Sequence, residues 1–144
     1  MSAVKFSTIR SRFAAAVEAL PGFSESRNPF DPTIRAPQSV AHLRFWVGVA
    51  NANAMPNRQR SPGQVVNTDL VVKFAYRLRP KDQVTDYDLS MDKAETVIQT
   101  LTTRAAPLYT NTEITFVRFF HDLTSSGEYV IISLEFQAIH TITL

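Results

Sequence analysis

Apolar residues recur along this chain with two different periods. Between Val4 and Leu20, Phe6, Ile9, Phe13, Val17 and Leu20 return at spacings of three and four, which places them on one face of an α-helix. Pro21-Gly22 stops that helix. From Val40 to Ala50 the period becomes two, with Ala41, Leu43, Phe45, Val47 and Val49 alternating against His42, Arg44, Trp46 and Gly48. The same alternation returns between Asp69 and Arg79, where Leu70, Val72, Phe74, Tyr76 and Leu78 share a face. Both stretches predict half-buried strands. A second helix opens at Thr85, with Asp86 and Asp88 in its first turn, where the helix dipole favours negative charge. Its apolar stripe is Tyr87, Met91, Ala94, Ile98 and Leu101, and Arg104 with Pro107 marks its end.

The last third predicts two more strands, EITFVRFFHD and EYVIISLEFQAIHTI, joined by a turn at Leu123–Gly127. The second alternates cleanly, with Val130, Ile132, Leu134, Phe136 and Ala138 on one face. Extended over fifteen residues from Glu128 to Ile142, it would span roughly 50 Å at about 3.3 Å per residue. A compact domain of this size is only about 35–40 Å across. Such a strand is either bent or overshoots its own domain, and an overshooting edge invites pairing with a second copy.

The element order is therefore α-β-β-α-β-β. It predicts a single α+β domain over residues 1–144, a largely antiparallel four-stranded sheet with both helices on one face. Two segments stand outside this scheme. Residues 21–39 carry four prolines and predict an extended strap anchored by Phe23 and Phe30. Residues 51–68 hold Arg58 and Arg60 and no acid. They predict a long, mobile basic hairpin loop that needs a partner to order it. The sheet face away from the helices is also apolar, carrying Trp46, Val71, Ala75, Val117, Phe119, Tyr129, Ile131 and Ile139. Trp46, Val71, Val117, Phe119, Tyr129 and Ile131 are the candidate subunit interface, because an apolar face of that size requires cover.

Charge adds an asymmetry. Residues 1–81 hold twelve Lys/Arg against four Asp/Glu, and residues 82–144 hold three against nine. A folded molecule divided in this way favours face-specific association. Arg58, Arg60, Arg77 and Arg79 form the candidate contact for a partner or for nucleic-acid phosphates. No cysteine is present, no apolar run is long enough to span a membrane, and the N-terminus lacks the block pattern of a signal peptide. Catalytic and metal motifs are weak. Ser90-Met-Asp-Lys93 matches the S-x-x-K pattern of acyl-enzymes without its companion elements, and reads as a solvated helix face. His42, His121 and His140 lack metal-ligand spacing, and the four glycines form no phosphate loop. No enzyme activity, metal or cofactor is expected.

The size, the element order, the opening helix IRSRFAAAVEAL, the long loop of the first hairpin and the segment VVKFAYRLRPKDQVTDYDLSMDKAETVI resemble the tail terminator, or tail completion, proteins of long-tailed bacteriophages. The resemblance implies a hexameric ring, a structural virion protein made in the host cytoplasm and placed at the head-proximal end of the tail. It would cap the tail tube, contact the major tail tube protein, present a docking surface to the head–tail connector, and let DNA pass its lumen with transient non-specific contact. The alternatives are another neck or connector protein of the head–tail junction, or a sequence-independent nucleic-acid-binding module.

Overall fold

The computed structural model describes residues 2–28, 40–60 and 63–144, the side chains of residues 57–60 excepted. Two helices, α1 (Phe6–Glu18) and α2 (Gln83–Leu101), pack on one face of a five-stranded mixed sheet. The strands are β1 (Ser24–Glu25), β2 (Arg44–Arg60), β3 (Gly63–Arg77), β4 (Glu113–Leu123) and β5 (Tyr129–Thr143), in the spatial order β1-β2-β3-β5-β4. The chain is a single α+β domain with a largely antiparallel sheet, as expected, but the sheet has five strands rather than four. The added strand is β1, which pairs parallel to β2 through Ser24↔Arg44 and Glu25↔Phe45. Parallel neighbours need a long crossover, and the proline-rich strap supplies its length. Phe23 anchors the strap's start, its ring edge-on to Phe74 at 5.3 Å and to Phe45 at 6.3 Å. The second anchor, Phe30, lies with residues 29–39 outside the described residues.

The core forms where the two periods meet. Phe45 and Val47 of β2, Leu70, Val72 and Phe74 of β3, and Ile132, Leu134 and Phe136 of β5 present one face. Against it lie Ile9, Phe13 and Val17 of α1 and Ala94, Val97 and Leu101 of α2. Phe13 meets Phe136 edge to face at 5.6 Å, and Phe136 meets Phe116 at 5.5 Å. The buried line of α2 is shifted by one residue from the expected stripe. Asp86, Ser90, Ala94, Val97 and Leu101 are buried, while Tyr87 and Ile98 flank them half-buried. Polar side chains hold positions that periodicity alone assigns to apolar ones.

Of the segment read as a loop over residues 51–68, residues 51–60 and 63–68 are strand. β2 continues to Arg60 and β3 starts at Gly63, with Ala54↔Val66 and Arg60↔Gly63 among their pairs. β5 lies on the other side of β3 along its whole length, from Tyr129↔Arg77 to Thr143↔Gly63. The long C-terminal strand therefore does not overshoot unpaired: it and the hairpin make one three-stranded arm. Backbone pairing orders the arm, so the partner that a loop would have required is intrachain.

Two β-bulges lie at one level of the sheet. β2 has an extra residue, Ala50, between Val49↔Leu70 and Asn51↔Asp69. β4 has one, Val117, between Phe116↔Phe136 and Arg118↔Glu135. Leu70 and Phe136 are themselves paired. The bulge at Val117 reverses the facing of the rest of β4, because one added residue flips a period-two pattern. Phe119 consequently pairs with Leu134 and packs into the helix-side core, correcting its expected place on the opposite face.

Truncation separates these environments. Phe136→Ala, at a fully buried site, should lower the unfolding free energy by about 3–5 kcal/mol in urea titration. Val117→Ala, at a bulge residue 49% exposed, should change it by no more than about 0.5 kcal/mol. Equal effects would contradict the bulge assignment.

Candidate functional site

The sheet face opposite the helices contains a small second cluster. Trp46, Ala75 and Ile131 form it, with Val40 and Tyr129 packed alongside. Trp46 is 4% exposed and Ile131 5%, so both are already covered within the chain and have little surface left for a partner. Tyr129 and Val71 are half-buried. Of the six residues expected at a subunit interface, only Val117 presents a large open surface, and Phe119 lies on the other face. Beyond the Trp46 cluster the face turns polar. Asn51, Asp69, Glu135 and Gln137, with Val71 and Val117, line a groove of about 180 Å³ between the two bulges.

Exposed apolar surface concentrates instead along β4. Val117, Phe120 and Leu123 are 49%, 39% and 58% exposed. Arg118 fixes the local geometry. Its Nη2 donates to both Glu135 carboxylate oxygens at 2.9 and 2.7 Å, and its guanidinium lies 5.3 Å from the Phe120 ring centroid. Sequence periodicity missed Phe120 and Leu123 as surface features. The available signal is the run Val117-Arg118-Phe119-Phe120, which breaks the alternation and so marks a bulge.

The basic residues expected to meet a partner divide. Arg79 is engaged within the chain: its backbone N–H and Nε donate to Asp86 Oδ2 at 2.8 and 3.1 Å, and its Nη2 to Oδ1 at 3.0 Å. These hydrogen bonds hold the Asp86 carboxyl below the usual carboxylate range. The pair ties the segment after β3 to the first turn of α2. Arg77 is exposed, and its backbone N–H donates to His42 Nδ1 at 3.1 Å. The side chains of Arg58 and Arg60 lie outside the described residues; their backbones end β2 on the arm. A cleft of about 310 Å³ lies beside His42, Tyr76, Arg77, Arg79, Asp86 and Leu89. Asp86 is paired with Arg79 there.

The remaining candidate groups have structural partners. Ser90 is fully buried and donates to the Tyr87 carbonyl at 2.5 Å, so the reading of Ser90 on a solvated helix face is corrected. His140 is buried on the arm. Its Nδ1 donates to the Val4 carbonyl at 2.9 Å, which leaves Nε2 to accept from Thr68 Oγ1 at 2.7 Å. Phe6 meets its ring edge-on at 5.6 Å. Burial lowers its pKa. Among the described residues no three His, Asp or Glu side chains gather as metal ligands, and no helix is long and apolar enough to cross a membrane.

No protein-family model matches this chain, and no curated protein is significantly similar to it in sequence.

Acid should destabilise the fold in two separable windows. His140 has a lowered folded pKa, so below about 6.5 the unfolded chain takes up the proton first and stability falls with pH. Asp86 also has a lowered folded pKa; its contribution is complete above the ordinary carboxylate value of 3.8 and is lost as pH falls through the folded value. In urea titrations across pH, His140→Gln should flatten the upper slope and Asp86→Asn the lower one. Unchanged slopes would remove these groups from the account.

Proposed function

We propose that this chain is a non-catalytic structural subunit that assembles into a ring at the head-proximal end of a phage tail, closing the tail tube and presenting a surface to the head–tail connector. The observation that carries this reading is the arm. Three strands, β2, β3 and β5, run together past the level of the two bulges, with β3 and β5 in register to Gly63↔Thr143. A strand pair alone is marginal in water, whereas three paired strands with buried contacts hold a shape. His140, Thr68 and the Val4 carbonyl fasten the arm's helix-side face to the N-terminal segment. The result is an arm held in one shape by its pairing and by the N-terminal segment, suited to seating one ring on the next.

The sequence resemblance supplies the setting. A ring of six is its expected size, with the major tail tube protein and the connector as partners and the virion as location. Arg58 and Arg60 near the hairpin tip are then the residues for an acidic tube surface or for DNA phosphates in the lumen.

Light scattering should give a particle of six times the 16.2 kDa chain mass, and electron microscopy should show it seated on purified tail tubes. Arg58→Glu/Arg60→Glu should keep that mass and lose tube binding by roughly tenfold or more, since each reversed contact costs on the order of 1 kcal/mol. A monomer that ignores tubes at all concentrations would overturn the reading.

A further inference from the structure

We infer that copies of this chain join head to tail through their sheet borders, β4 of one copy pairing with the outer edge of β2 in the next. The inference rests on the ring reading for the number of copies, and it names the surfaces that reading leaves open. At one border, β4 pairs with β5 alone among the described residues. Natural sheets blunt such edges with lysine, proline or covering segments. β4, EITFVRFFHDL, contains neither lysine nor proline and exposes Val117, Phe120 and Leu123. At the other border, β1 covers β2 only at Arg44 and Phe45. From Trp46 onward no other described strand lies outside β2.

Strand direction makes these borders compatible. β2 is antiparallel to β3, β3 to β5, and β5 to β4, so β4 runs opposite to β2. Copies related by rotation about an axis along the strands bring β4 against the next β2 antiparallel, and the alternation continues across the contact. A twofold pairing of β4 with a second β4 would also be antiparallel. Charge separates the two arrangements. Residues 23–28 and 44–60, which build the β1–β2 border, hold four basic residues against one acidic. β4 holds one basic against two acidic. α2, which leans on β4 through Tyr87 and His121 with ring centroids 5.3 Å apart, holds one basic against four acidic. Twofold pairing would set two acidic borders together. Head-to-tail pairing sets acidic against basic, which favours it in rate and specificity. Such a heterologous contact closes into a ring when its rotation divides a full turn.

The absence of cysteine allows a clean test. Thr115→Cys and Phe120→Cys mark β4; Val49→Cys, Asn51→Cys and Asn53→Cys mark β2, all at exposed positions. Each variant is treated with a short bismaleimide, alone and in each β4–β2 mixture, alongside light scattering. Cross-linked dimer should form in at least one mixture and in no single variant. Dimer from a β4 variant alone would overturn the inference in favour of twofold pairing. Ring-sized particles without a β4–β2 cross-link would overturn edge pairing and leave the ring reading standing. A monomer without cross-links would overturn both.

Discussion

The ladder between β3 and β5 is the constraint on which the rest of this structure depends. It runs from Arg77↔Tyr129 to Gly63↔Thr143 with no register shift. Two central strands locked over that length impose their own twist and rise, and their neighbours must conform. β2 and β4 both do so by bulging, at Ala50 and Val117 beside the Leu70–Phe136 pair, and β2 shifts again between Ala54 and Gln59. Bulged strands bend and twist more than regular ones, so the sheet accommodates its outer strands at one level. Below that level lie the helices' main contacts with the sheet; beyond it the arm begins.

The parts legible in the sequence are those in which local pattern and tertiary environment agree. The alternation of β3 and β5, the line Ile9, Phe13 and Val17 of α1, and the α+β class follow from spacing alone. The segment Asn51–Arg60 does not alternate apolar with polar, because its strand character comes from pairing with β3, which is itself held by β5. Pro56 also lies within it. On a border strand a missing N–H is tolerated, and β2 is a border strand along that stretch. β1 was hidden for a similar reason: two residues of strand inside a proline-rich segment carry no periodic signal.

The candidate interface is less legible in the sequence than the fold, and one residue explains much of the difference. Val117 shifts the facing of β4, moving Phe119 inward and turning Phe120 to the opposite face. The buried polar residues were the other gap. Asp86, Ser90 and His140 occupy core-facing positions because each finds a specific partner: the Arg79 guanidinium, the Tyr87 carbonyl, and the Val4 carbonyl with Thr68. Buried polar groups persist when their hydrogen bonds are satisfied, and no one-dimensional pattern reports a partner many residues away.

The arm also sets a rule for how this chain can vary. β3 and β5 share one register along its whole length, so removing a single residue from either of them turns every later side chain to the other face. His140 would then leave Thr68 and Val4, and the polar row through Asn67 and Asp69 would turn inward. The facing of these two strands is therefore kept only when their lengths change in matched pairs of residues, in steps of about 6.6–6.8 Å. The β3–β5 ladder is a ruler with coarse divisions, and its reach is discrete.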